Sequence, residues 1–244
     1  MRTHKTTVDE IADGVYRIST YLPDVTDEGF TMNQFLLLAE DPLLFHTGPR
    51  QLFSDTIEFT GRAMRLEKLR WISFGHVEAD ECGALAQWTS AIRSAEVVVG
   101  DIAAEVSVRD MTDRKVTSLS DGKVLDLGDK RVRYFATPHV PHGWDAGILF
   151  EETTRTLLCG DLFTHLGEGP AVFDGDIVEQ TLFADQKINA TALTPFTAPT
   201  IRRLSELEPD TLATMHGSAY DGDCQEALDA LAKAYQHRLE AAMP

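Results

Sequence analysis

Cysteine is scarce in this chain: Cys82, Cys159 and Cys224 are the only three among 244 residues. The count is odd and no pair forms a CxxC, so the pattern fits reduced thiols in a cytosol better than a disulfide framework. Basic residues are also in deficit. With 22 Lys and Arg against 39 Asp and Glu, the formal charge is −17 with histidines neutral. A surface this acidic repels phosphate backbones and anionic lipid, which argues against nucleic acid or a membrane as partner. No apolar run approaches the roughly 18–20 residues needed to cross a bilayer. The opening MRTHKTTVDEIADG has no apolar core of signal-peptide type, and no internal repeat, low-complexity tract or linker is visible. These absences leave a soluble, cytoplasmic protein. At 43% hydrophobic composition it can bury an ordinary globular core, and one domain over residues 1–244 is expected.

What is present is a mixed order of strands and helices. Strands are expected at Gly14–Leu22, Phe35–Ala39 and Leu43–His46, the last two turned over by Glu40-Asp41-Pro42 as a hairpin. A helix follows from Gln51, then a short strand at Trp71–Phe74, a helix from Ala84, a strand at Glu96–Gly100 and a helix near Asp101–Val106. A second group of strands covers Lys123–Leu127, Arg131–Ala136, Gly147–Phe150 and Thr156–Cys159. Leu166–Ala198, with its glycines, prolines and weak helical spacing, reads as a loop-and-helix excursion over one end of the sheets. Helix Ile201–Leu207, strand Thr211–Met215 and an amphipathic helix Cys224–Ala242 complete the chain. The fold class is α/β, with two sheets packed together and helices outside.

The stretch WISFGHVEADECG, Trp71–Gly83, is where chemistry first shows. His76, Glu78 and Asp80 follow a buried strand at alternate positions, so their side chains can share one face of an extended loop. On its own this could be a polar loop whose Asp80 caps the next helix. Three further strand ends tip the balance: TPHVPHGWD with His139 and His142, LLCGDLFTH with Asp161 and His165, and MHGS with His216. Loops at strand ends on a rigid scaffold are where function concentrates. His76, Glu78, Asp80, one histidine of the TPHVPH loop, Asp161 and His216 make six candidate ligands, more than the four of one tetrahedral zinc. Six donors suit two metals about 3.5–4 Å apart, with Asp161 as the natural bridge. Imidazoles and carboxylates without thiolates favour Fe, Mn or Zn, and the carboxylate in the first cluster, which stabilises higher oxidation states, tilts the choice towards iron.

The order HxExD, a later histidine, GD and a final H-G resembles the metallo-β-lactamase fold, in its flavodiiron and oxygen-binding diiron branch. The hydrolase branch has HxHxDH in the first motif, where this chain carries Glu78 as the middle residue. The resemblance runs from about Gly14 to His216. It implies a four-layered αβ/βα sandwich in which His76, Glu78 and His142 bind one metal, Asp80 and His216 the other, and Asp161 bridges. His142-Gly143-Trp144-Asp145 matches the family's aromatic and aspartate after the ligand, leaving His139 as runner-up. Two departures stand out. Glu81 follows the motif aspartate where a histidine is usual, and His46 stands where the fold usually carries an early aspartate. Glu81, His139, His165 and His46 are therefore candidates for a direct or supporting role, and Trp144 and Phe163 for the pocket. No flavodoxin-like domain is seen in these 244 residues.

The implied function is a non-haem diiron protein that binds dioxygen as sensor or carrier, or reduces O₂ or NO with electrons from a redox partner protein. The alternative is a dinuclear Zn or Mn hydrolase acting on an ester, lactone or phosphoester. A third reading makes the metals structural around a signal-binding pocket. Homodimerisation is suggested by the family only.

Overall fold

The computed structural model describes residues 4–243. Its first sheet contains β1 (Lys5–Ala12), β2 (Val15–Leu22), β3 (Phe30–Leu37), β4 (Leu43–Phe45), β5 (Trp71–Ser73), β6 (Glu96–Gly100) and β7 (Val116–Leu119), side by side in chain order. β1 to β4 pair antiparallel, and β4 to β7 pair parallel. Parallel neighbours need crossovers. These are supplied by α1 (Phe53–Ala63), by α2 (Ala79–Cys82) with α3 (Leu85–Ala91), and by α4 (Asp101–Ala103) running through a π turn into α5 (Arg109–Met111).

The second sheet contains β8 (Val124–Asp126), β9 (Arg131–Ala136), β10 (Gly147–Glu151), β11 (Thr156–Leu158), β12 (Val172–Phe173), β13 (Thr211–Ala213) and β14 (Ala219–Tyr220). Its order is β12-β14-β13-β11-β10-β9-β8. β8 to β11 form an antiparallel meander, and β13 joins β11 in parallel. Between β12 and β13 run α6 (Ile177–Ile188) and α7 (Thr197–Ser205), and α8 (Cys224–Ala242) ends the described chain.

Four layers follow from how the strands divide their side chains. Phe35 and Leu37 of β3, Phe45 of β4, Val98 of β6, Tyr134 of β9 and Leu149 of β10 meet in a core between the two sheets. Their neighbours Leu36, Leu44, Val97 and Val99 face the other way, against Leu85 and Trp88 of α3. On the far side Phe135, Ile148 and Phe150 pack under Ile201, Leu228, Leu231 and Tyr235 of α7 and α8. Strands covered on both faces must be apolar throughout, which is why FLLL, LLF, VVV and GILF are unbroken runs. Each such side chain contributes on the order of 1.5–3 kcal/mol by leaving water. The helices are set by their ends: Asp176 and Asp223 accept from the backbone N–H three residues on, at 2.8 Å each, and so start α6 and α8.

The sequence expectations differ from the structure mainly at sheet edges. Lys5–Ala12, where no strand was expected, is the edge strand β1. Its charged, half-exposed pattern is what an edge needs and carries no core signal. β7, β12 and β14 are short and were likewise not expected. The excursion at Leu166–Ala198 resolves into β12, α6 and the start of α7, which begins at Thr197 rather than Ile201. Pro199 sits in the first turn of α7, where its missing N–H costs nothing. Among the described residues no helix is long and apolar enough to cross a membrane.

Candidate metal centre

Four strand ends on the seam between the sheets bring their loops together. Gly147 N–H donates to the Gly75 carbonyl at 2.9 Å, tying the start of β10 to the end of β5. Met215 N–H reaches the Gly160 carbonyl at 2.9 Å, and Asn33 N–H the Met215 carbonyl at 2.9 Å. Gly75 has to be glycine here, since a Cβ would lie 2.9 Å from the Gly147 oxygen. Main chain thus ties the loop after β5 to the loop after β9, and the loop after β11 to the loop after β13, before any side chain is considered.

Two groups of donor atoms form within these loops. His76, Glu78, His142 and Asp161 make the first, and Asp80, Asp161 and His216 the second, each with its atoms within 4.8 Å of one another. Glu78 Oε2 lies 2.8 Å from His76 Nε2 and 3.0 Å from His142 Nε2. Asp161 Oδ2 lies 3.2 Å from His142 Nε2 and 3.7 Å from His76 Nε2, within the same group. Its other oxygen, Oδ1, turns to His216 Nε2 at 3.1 Å, and Asp80 Oδ2 is 3.3 Å from that same nitrogen. One carboxylate therefore addresses both groups with a different oxygen to each.

The charge of this cluster calls for a cation. Among the described residues, Glu78, Asp80 and Asp161 form no ion pair with Lys or Arg; their only partners are imidazoles. Asp80 Oδ1, Asp161 Oδ1 and His142 Nδ1 are buried without a hydrogen bond. In the metal-free protein the imidazoles must hold protons to balance the oxygens. Burial alone would lower the pKa of His76, but contacts with Glu78, Glu81 and Asp161 outweigh it and lift the pKa to about 11. For His216 burial is again outweighed, by Asp161 and Asp80, and the pKa rises to about 10. Glu78 also raises His142, and the His142 and His76 contacts hold the Glu78 carboxyl far below the usual range. Burial opposes ionisation of Asp161, yet His216, His76 and His142 together lower its pKa. A divalent metal in each group would replace those protons, as metals do at imidazole sites. An oxygen- and nitrogen-only donor set of this kind fits two borderline or hard cations.

Supporting groups fix the rings. His216 Nδ1 donates to the Thr31 carbonyl at 2.7 Å, and the Phe30 ring lies 4.2 Å from the His216 ring. Asn33 Nδ2 donates to the Thr214 and Gly217 carbonyls at 2.8 Å each, holding the loop that carries His216. Asp145 Oδ2 accepts from Val77 N–H at 3.0 Å. Thr31 and Asn33 were not singled out from sequence, and Asp145 only as part of the match that follows His142. The available signal was polar Thr31 and Asn33, two apart on a strand otherwise buried on both faces.

The remaining expected residues sort as follows. His139 is exposed and belongs to neither group. Burial lowers the pKa of His165 to about 4, and both its nitrogens are engaged: Nδ1 donates to the Phe163 carbonyl at 2.9 Å, and Nε2 accepts from Ser218 N–H at 2.8 Å. It clamps two loops together rather than facing the donors. Glu81 is fully buried, with Oε2 accepting from Gly75 and His76 N–H at 2.7 Å each, and it too stands outside both groups. His46 lies behind it, with Nε2 3.4 Å from Glu81 Oε1. Phe163, expected in the pocket, is instead buried in the core beneath α7 and α8, because a left-handed backbone at φ 66° turns it inward. Trp144 stands exposed two residues beyond His142. Burial, and then Glu81, push the Cys82 thiol up to about 12, so it is no nucleophile.

A family model described as ODP family beta lactamase matches residues 30–217, a span that holds all six donor residues. The chain belongs to this family. Membership agrees with the four layers. No curated protein matches the chain. Among solved structures it is similar to a metal-soaked flavodiiron core from Synechocystis, at 20% identity and TM-score 0.79, covering 98% of this chain and 62% of that one. Rubredoxin oxygen:oxidoreductase from Desulfovibrio gigas is similar at 17% identity and TM-score 0.80, with 96% of this chain and 62% of that one covered. A diflavin flavoprotein fragment from Nostoc, at 16% identity and TM-score 0.78, is covered to 97%, against 98% of this chain. The ODP-family chain thus spans about three fifths of the first two. At these identities the likeness speaks for the fold.

Proposed function

We propose that the chain is a non-haem diiron protein that binds dioxygen, or reduces O₂ or NO with electrons from an outside donor protein. The observation that carries this reading is Glu78, whose carboxylate sits between His76 and His142 where it adds negative charge to the first group. Extra negative charge makes a metal pair a weaker Lewis acid and favours its oxidised state, which suits redox work better than hydrolysis. His76, Glu78 and His142 would hold one iron, Asp80 and His216 the other, with Asp161 between. When bound, the irons would supply the electrons and open positions that a diatomic needs.

The chain's own residues set the conditions. His76, His216 and Asp161 side chains are only 5–7% exposed, while Glu78 and His142 are 48% and 29% exposed, so the first group is the side open to solvent. A cavity touching Asp161, walled by Pro141, Thr164, Thr191 and Tyr235, has about 10 Å³, room for one water-sized molecule. The names of the similar proteins, a flavodiiron core and an oxygen:oxidoreductase, point the same way. A homodimer is compatible with this reading and is left to solution measurement.

A second reading, a Zn or Mn hydrolase of an ester, lactone or phosphoester, is favoured by the beta-lactamase description of the family. One experiment separates the two. The iron-loaded protein is reduced without air, its absorption spectrum recorded, and oxygen admitted. A new visible band supports the diiron reading. A silent spectrum, with the zinc-loaded protein turning over a generic ester or phosphodiester, overturns it.

A further inference from the structure

Among the buried ionisable groups outside the donor set, Glu81 lies directly behind a donor ring, that of His76. Its side chain is wholly excluded from water, and among the described residues no Lys or Arg pairs with it. A carboxylate in that position is costly unless donors meet it. Two do: the N–H groups of Gly75 and His76 both reach Oε2, which locks the carboxylate to the backbone of His76 itself. The other oxygen, Oε1, has no aligned hydrogen bond. The nitrogens near it are His76 Nδ1 at 3.1 Å and His46 Nε2 at 3.4 Å. The carboxylate cannot turn away from them. A Cβ on Gly75 would lie within 3.2 Å of both its oxygens, and one on Gly160 within 3.4 Å of Oε1, so bare glycine backbone walls it in.

We propose that Glu81 is the positioning residue for His76: it takes the Nδ1–H of that ring and so presents Nε2 to the metal held with Glu78, His142 and Asp161. The proposal rests on the paired-metal reading. It distinguishes the two metals, because the ring of the second group has a different support. His216 Nδ1 donates to a neutral main-chain carbonyl, that of Thr31. A carboxylate behind an imidazole makes its far nitrogen a better donor than a carbonyl does, and loss of such a partner typically weakens a metal 10–100-fold. In Glu81→Gln the amide oxygen can still accept from the two backbone N–H groups. Its NH₂ then meets the Nδ1–H of His76, donor against donor, and the ring can satisfy both only by moving its proton to Nε2 and giving up the metal.

The test titrates the chelator-stripped wild type and E81Q with cobalt(II), reading metal per chain and the visible spectrum. The wild type is expected to take two ions. E81Q is expected to hold the ion at Asp80, Asp161 and His216 within about three-fold of wild type and to bind the other at least about ten-fold more weakly. Equal loss at both sites, or no loss at either, overturns the proposal while leaving the two-metal centre in place. A wild type that takes no cobalt overturns both. Should E81Q fail to fold, long-range ¹H–¹⁵N NMR of the zinc-loaded wild type decides: a His76 proton on Nδ1 supports the proposal, and one on Nε2 contradicts it.

Discussion

Asp161 turns Oδ2 to His76 and His142 and Oδ1 to His216, so a single side chain is common to both donor groups. Replacing it with alanine is expected to lower metal content from two per chain to none, measured by elemental analysis of the folded variant; full content in D161A would mean that no bridge exists. His142 and His139, three residues apart, should separate cleanly: H142A, which removes a proposed direct ligand, weakens one metal by at least the roughly 10–100-fold that loss of a ligand's outer partner costs, while H139A leaves both. His165 gives a pH signature. Its folded pKa is about 4, below the ordinary 6.5 of an imidazole, so between those values the unfolded chain takes up a proton that the folded one refuses. The stabilisation is full above pH 6.5 and is lost as pH falls towards 4, on the order of 3 kcal/mol at most. His46, lowered by burial, has the same sign. His76 and His216, raised, stay protonated in the folded state, and their opposite slope lies mainly above this window, as the unfolded imidazoles lose their protons. Chemical denaturation of chelator-stripped H165Q should therefore show a flatter dependence between pH 4 and 6.5 than the wild type; parallel slopes would mean that His165 is not held neutral.

At the scale of the element, each donor depends on a loop that starts where a buried strand stops. The loop at His139–Asp145 shows how tightly these fit. Gly143 has φ +79°, and a Cβ there would lie 3.0 Å from Cδ2 of His76. Gly143→Ala is expected to cost about 1–3 kcal/mol from the left-handed backbone and, by pushing the His76 ring, to lower metal content below that of wild type. An unchanged metal content at lower stability would confine the effect to the loop. Such elements were legible in the sequence to very different degrees. Buried strands such as β6 and β10 are continuous apolar runs, and the ligand types that recur at four strand ends lie in loops that the fold brings together. β1 was illegible because an edge strand is built from charged residues that read as loop. Thr31 and Asn33 act through backbone groups 181–186 residues away, and no local pattern encodes that contact. Glu81 was placed beside the metals by its motif, but only the fold reveals that its oxygens point at backbone N–H groups and imidazoles.

For the molecule as a whole, a formal charge of −17 includes the donor carboxylates. Two divalent cations would relieve both the local cluster and part of the general repulsion. Stripping them with a chelator is expected to lower the melting temperature. A metal present at about 100 times its Kd stabilises the fold by about 2.7 kcal/mol. Added salt should then raise the melting temperature of the stripped protein more than that of the loaded one, because exposed repulsions are screened. The reverse order in differential scanning calorimetry would place the destabilising charge elsewhere. The three apolar layers would be intact in either case, since none of the six donors belongs to them. Metal loss should therefore loosen the seam between the sheets and spare the sandwich.

A pair of irons on this seam would show in the metal content of protein produced in iron-replete cells and purified without chelator. Two irons per chain are expected, falling to none in D161A. Zinc alone, or a single metal per chain, would contradict it.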